Sequence, residues 1–190
     1  MSLVNTLQEK LLPGKVYRRS ELAKWSNAVD RHLYQLQKDG KLKKVSAGLY
    51  YCPKKTVFGE APANETTLVK AFLKDHRFLL TSLNAYNALG VGTTQLYNEI
   101  LVYNHKRHGR FALDGRMFDF QVKPFFPKTL SKEFLLVDLV NNLDGLAEDK
   151  MHLLRRIKDK IPTFDKHVLV NAVRNYGSVK AKKFFAEALA

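Results

Sequence analysis

Apolar positions at the start of the chain recur at helical spacing. Leu3, Val4, Leu7 and Leu11 fall on one face, which predicts a helix over about 2–11 that Pro13-Gly14 stops. Val16-Tyr17 reads as a short extended piece. Ser20 is placed to cap a second helix from Glu21, with Leu22, Ala23 and Trp25 as its apolar side. Trp25 is expected in the core. Ser26 or Asn27 then caps a third helix running to about Lys38, where Asp39-Gly40 permits a left-handed stop. Val29, Leu33 and Leu36 share one face of it. Lys41 to Val45 alternates, Ser46-Ala47-Gly48 turns, and Leu49-Tyr50-Tyr51 returns, the pattern of a β-hairpin. Three helices with a short turn between the last two, followed by a basic hairpin, is the order of a winged helix-turn-helix.

Pro53-Lys54-Lys55 ends this module, and a linker through Gly59, Pro62 and Asn64 is expected next. The domains are therefore read as 1–55 and 56–190. The second begins with a helix at Thr66–Leu73 and a strand at Phe78–Leu80. Ser82 caps a helix through Leu89 that Gly90 stops, and a strand at Glu99–Tyr103 follows. Arg110–Leu113 and Met117–Val122 form a hairpin around Asp114-Gly115, a favoured turn pair. Helices are expected over about 131–142, 149–159, 164–175 and 178–189. The fold class is α+β: an N-terminal winged helix-turn-helix, then a mixed α/β domain with a small sheet and a helical C-terminal part.

Charge sharpens the reading. The chain carries 32 Lys and Arg against 18 Asp and Glu, a net of +14. Residues 1–55 hold 12 of the basic and 4 of the acidic residues, so the excess is concentrated there. Such a balance favours a polyanionic partner, because each neutralised phosphate releases counterions. One cysteine, Cys52, excludes an intrachain disulfide and a cysteine zinc site, and it is expected as a small half-buried apolar residue. No apolar run is long enough for a membrane helix, and residues 1–12 do not read as a signal peptide. A cytoplasmic location without membrane partners is expected.

The third predicted helix carries Asn27, Arg31, Tyr34, Gln35 and Lys38 opposite its apolar stripe. Arginine can pair with guanine and Asn or Gln with adenine in a major groove, so this face is the candidate for base reading. Lys38, Lys41, Lys43, Lys44, Arg18 and Arg19 are the candidate phosphate contacts. The dense run Asn104 to Arg110 adds Lys106, Arg107 and Arg110 as possible phosphate or partner contacts, the alternative being a solvated loop.

Other constellations carry less. His105 and His108 find no third ligand of suitable spacing, so no metal is expected. Asp119, Gln121 and Lys123 alternate on one strand face, with Phe118, Phe120 and Val122 on the other. That acid-Gln-x-Lys run is similar to a short nuclease motif, but an ordinary polar strand face is the reading adopted. Gly90-Val91-Gly92 lacks the glycines of a dinucleotide fingerprint, and no nucleophile or phosphate-loop motif appears. No catalytic residue and no cofactor are expected. Lys180, Lys182 and Lys183 lie against Phe184, Phe185 and Leu189 on the last helix, which either closes the core or docks a partner.

The run from Tyr17 to Tyr51 resembles the N-terminal domain of AbiEi-type antitoxins of type IV toxin–antitoxin systems. Its matching pieces are Arg19-Ser20-Glu21-Leu22-Ala23, Val29-Asp30-Arg31-His32-Leu33, Gly40-Lys41-Leu42 and Gly48-Leu49-Tyr50. Leu80 to Gly90 followed by Thr93-Thr94-Gln95, and Tyr176-Gly177-Ser178 before a basic helix, resemble the same family, so the likeness spans nearly the whole chain. The resemblance implies a repressor that binds double-stranded operator DNA, with inverted repeats and self-association on DNA as accompanying expectations. It also implies a second domain that counters a nucleotidyltransferase-like toxin encoded nearby. The alternative is a winged-helix transcription regulator whose second domain senses a ligand or dimerises, without a toxin partner.

Overall fold

The computed structural model describes residues 3–189, with side chains from Thr6 onward. The first elements are α1 (Leu3–Glu9), β1 (Val16–Arg18), α2 (Arg19–Leu22), α3 (Val29–Lys38), β2 (Lys43–Ser46) and β3 (Leu49–Tyr51). The three strands form an antiparallel sheet in the order β1-β3-β2, with Tyr17 opposite Tyr50 and Lys44 opposite Tyr50 on the other side. Leu7, Leu22, Leu33 and Leu36 meet Tyr17 in one core against which Trp25 packs. Burying each of these leucines contributes roughly 1.5–3 kcal/mol, which is what holds helices this short in place.

The helix boundaries differ in detail from those expected. The first helix ends at Glu9, short of the expected Leu11, and Ser2 lies outside the described residues. Ser20 sits inside α2 instead of capping it; the cap position is Arg18, whose backbone N–H donates to the Glu21 carboxylate at 2.7 Å. Neither Ser26 nor Asn27 is the cap of α3. Ala28 takes that position, and Ser26 works one step outside it: its Oγ accepts from the Ala28 N–H at 3.2 Å. Ala23 is exposed. Gly40, at φ +66°, ends α3 in the left-handed conformation that a side chain would strain.

Residues expected as a linker contain a second hairpin, β4 (Lys54–Thr56) and β5 (Gly59–Ala61), whose tip residues Val57 and Phe58 are fully exposed. α4 (Glu65–Leu73) follows, capped by Asn64, which accepts from the Thr67 N–H. The chain divides into two units, one running to His76 and including Arg110–Phe118, the other made of 77–109 and 119–190. The boundary expected after residue 55 thus falls beyond α4. The reason is packing: Leu68 and Val69 are buried completely, and Arg18 Nη2 donates to the Phe72 carbonyl at 2.7 Å.

The second unit opens with β6 (Phe78–Thr81), which pairs antiparallel with β7 (Ile100–Asn104). The helix expected after Ser82 is a 3₁₀ segment, Leu83–Leu89, which the Ser82 side chain does not cap; Gly90 stops it at φ +66°. β8 (Gly109–Leu113) and β9 (Arg116–Val122), of which Arg110–Phe118 belong to the first unit, flank Asp114-Gly115, both left-handed at φ +51° and +75°. That is the type I′ geometry for which such residue pairs are selected. Four helices complete the unit: α5 (Lys132–Asn141), α6 (Lys150–Lys160), α7 (Lys166–Tyr176) and α8 (Val179–Ala188). Ser131, Asp149, Asp165 and Ser178 cap them in turn through side-chain oxygens. α5 is the central one: every residue from Phe134 to Val140 is buried. Phe185 is also completely buried, so α8 closes the core. The protein is a mixed α+β chain with small sheets. No helix among the described residues is long and apolar enough to cross a membrane.

Candidate functional site

α3 buries Val29, Leu33 and Leu36 and presents Arg31, Tyr34, Gln35 and Lys38 to solvent on the opposite side. Tyr34, an aromatic, is 70% exposed. Asn27 is exposed too, but it lies in the turn ahead of the helix. The face is not wholly unengaged: the Gln35 amide donates to the Asp39 carboxylate at 2.9 Å. A buried pair sets the start of the helix. Ser26 Oγ lies 2.7 Å from Nδ1 of His32, which is only 1% exposed. Apolar periodicity does not mark a buried histidine, so this contact escaped the sequence reading.

The six candidate phosphate contacts separate into two groups. Lys38, Lys41 and Lys44 are exposed. Arg18 is turned onto the C-terminal end of α4 through the Phe72 carbonyl. Arg19 makes a two-pronged pair with Asp30, Nε to Oδ1 at 2.7 Å and Nη2 to Oδ2 at 2.5 Å. That hydrogen-bonded guanidinium holds the Asp30 carboxyl below its ordinary value. Lys43 pairs with Asp114 Oδ1 at 2.8 Å; the Asp114 side chain is 3% exposed, and its backbone N–H donates to the Val45 carbonyl. Its other oxygen accepts from the Ala63 N–H at 3.2 Å, with Arg116 3.9 Å away. Asp114 reads in sequence as a turn residue and nothing more. Its role as an anchor depends on residues remote in the chain.

In the second unit the run from Asn104 is not simply a solvated loop. Asn104 is buried and builds the turn: its Oδ1 accepts from the Lys106 and Arg107 N–H groups, and its Nδ2 donates to the Arg107 carbonyl. Lys106 and Arg107 in this turn are exposed, and so is Arg110, which belongs to the first unit. His105 stacks on Phe126 with ring centroids 4.7 Å apart. Asp119 and Gln121 do share a strand face, the Gln121 amide donating to Asp119 at 2.8 Å. Phe118 and Phe120 are buried opposite, whereas Val122 is 49% exposed where the strand runs out of the core. No group of three or more His, Cys, Asp or Glu residues that could hold a metal ion occurs among the described residues.

The polar centre of this unit is Asp138, 2% exposed on the all-buried α5. Tyr86 donates to it at 2.7 Å and Tyr103 at 2.8 Å, and Asn142 Nδ2 donates to both phenol oxygens at 2.9 and 3.0 Å. Burial pushes the Asp138 carboxyl above its ordinary value, the two phenols and Lys123 pulling the other way. Burial likewise raises both tyrosines, helped by the neighbouring carboxylate. The network joins the 3₁₀ segment, β7 and α5, which accounts for its buried polar atoms structurally.

The same unit holds a cleft of about 740 Å³. Lys123, Pro124, Phe125 and Phe126 line one part of it, together with His105. Asn141, Arg174, Asn175, Tyr176, Gly177, Ser178 and Lys182 line the rest. Its wall at the α7–α8 junction is held by the Asn141 side chain, which donates to the Tyr176 carbonyl and accepts from the Ser178 N–H. Phe125 is 71% exposed at this cleft.

Fold and site together define a mixed α+β protein with an exposed polar helix face in its first unit. Its structure is similar to the crystal structure of the RV2827C protein from Mycobacterium tuberculosis, with a TM-score of 0.60 at 15% identity. The match covers 98% of this chain and 74% of that one, and at such identity it speaks to the fold alone. No family model and no curated protein matches the chain.

Proposed function

We propose that the first unit is a winged helix-turn-helix that binds double-stranded DNA, and that the protein is an antitoxin repressing its own operon. The observation that carries the DNA reading is α3: a stripe of Val29, Leu33 and Leu36 in the core with Arg31, Tyr34, Gln35 and Lys38 exposed behind it. Those side chains have the donors and acceptors needed to read base edges. Lys44 on the β2–β3 hairpin and Lys41 in the bend ahead of it, both exposed, supply phosphate contacts. Arg18, Arg19 and Lys43 have protein partners, which take up part of the donor capacity they would offer a phosphate. The antitoxin reading rests on the sequence resemblance to AbiEi-type proteins, with the second unit as the part that counters a toxin.

The test is fluorescence anisotropy with the DNA upstream of the gene. Arg31→Ala is expected to lose roughly 1–3 kcal/mol, concentrated at one base position, and Lys44→Ala to lower the salt dependence for all sequences alike. Unchanged affinity in both variants would remove α3 and the hairpin from the interface. Co-expression with the product of the adjacent reading frame tests the second half: rescue of growth is expected, and its absence leaves a regulator without a toxin.

A further inference from the structure

We infer that the cleft of the second unit binds a nucleoside polyphosphate. Lys123, Arg174, Lys182 and His105 all line it, and no carboxylate among the described residues does. Nor does any carboxylate there pair with Arg174 or Lys182, both exposed, whereas Lys180 on the same helix is neutralised by Asp144 at 3.0 Å. Arg174 and Lys182, with no carboxylate paired to them among the described residues, favour an anion, and together with Lys123 on the same cleft they match a chain of phosphates better than a single carboxylate.

The aromatic side chains select what carries the phosphates. Phe125 presents an exposed ring, and Tyr176 is held edge-on to Phe134 with centroids 5.3 Å apart. A flat base stacks on such a surface with a gain that does not depend on which base it is. The volume of about 740 Å³ lies in the range of small-molecule sites, large enough for a mononucleotide. Specific contacts shape the cleft: Asn141 bridges the α7–α8 junction, and Lys123 lies over the Tyr103 ring at 5.1 Å. This site is separate from α3 and stands or falls independently of DNA binding.

The experiment is calorimetric titration of the full chain with adenosine triphosphate, adenosine and tripolyphosphate, without divalent metal. Saturable one-to-one binding is expected for the nucleotide, weaker binding for tripolyphosphate and none for adenosine. Arg174→Ala and Lys182→Ala should each weaken the nucleotide at least tenfold, about 1.4 kcal/mol, without moving the melting temperature of the free protein. Phe125→Ala should weaken the nucleotide but not tripolyphosphate. Tripolyphosphate binding as tightly as the nucleotide would overturn the assignment of a nucleoside. No saturable binding, or binding lost in Arg31→Ala/Lys44→Ala and kept in Arg174→Ala/Lys182→Ala, would overturn the site itself.

Discussion

Lys43 on β2 and Asp114 in the β8–β9 turn form an ion pair at 2.8 Å, although one residue is 59% exposed and the other 3%. The buried partner makes the pair structural. A carboxylate taken this far from water depends on Lys43, the Ala63 N–H and the nearby Arg116 to offset its lost hydration.

Asp114→Asn separates charge from conformation, because asparagine tolerates the left-handed backbone at this position and leaves the Val45 hydrogen bond in place. It should destabilise the protein by roughly 1–3 kcal/mol in urea unfolding. A midpoint equal to that of the parent would mean the ion pair contributes nothing.

Ser26→Ala should cost about 1–3 kcal/mol, since it leaves the buried His32 ring nitrogen and the Ala28 N–H without their shared partner. The loss falls at the start of α3, so amide hydrogen exchange should quicken there first. Uniform quickening over the whole unit would contradict a local anchoring role.

Tyr86→Phe removes one donor to Asp138 and should destabilise by on the order of 2 kcal/mol at neutral pH. The raised carboxyl of Asp138 gives the pH dependence its direction. A carboxyl with a folded pKa above its unfolded value favours folding most fully in acid, and that advantage is lost as pH rises through the folded value. The phenol bonds oppose this by stabilising the ionised form. The penalty of Tyr86→Phe should therefore shrink as the pH falls and Asp138 takes up its proton. A penalty that is flat from neutral pH into the acid range would place the effect in packing.

Gly177→Ala probes the α7–α8 junction. A Cβ there would sit 2.6 Å from the Val173 carbonyl oxygen and 3.2 Å from the Lys182 side chain. Because the first of these atoms is backbone, the junction must shift, at a cost of roughly 1–3 kcal/mol. Calorimetry should show a lower melting temperature; an unchanged one would mean the junction yields without strain.

The local pattern alone determined much of this protein. The four C-terminal helices begin within two residues of the expected starts at 131, 149, 164 and 178. Asp114-Gly115 turns the hairpin, and Gly40 and Gly90 stop their helices. Turns and periodicity act between neighbours in the chain, so neighbours suffice to read them, whereas the caps expected at Ser20, at Ser26 or Asn27 and at Ser82 gave way to other residues or to none. The buried stripe and exposed face of α3 follow from the same geometry.

Tertiary structure decided the rest, because it depends on groups far apart in sequence. It moved the boundary of the first unit past α4, through the burial of Leu68 and Val69 and the Arg18–Phe72 bond. It assigned Arg19 to Asp30 and Lys43 to Asp114, which charge counting cannot foresee. It gathered Tyr86, Tyr103, Asp138 and Asn142 into one buried network. It also brought Lys123, Arg174 and Lys182 to one cleft. Each of these is a polar group answering to a partner in space. Hydrophobic patterning reports which positions avoid water; it does not report which polar group a buried charge will meet.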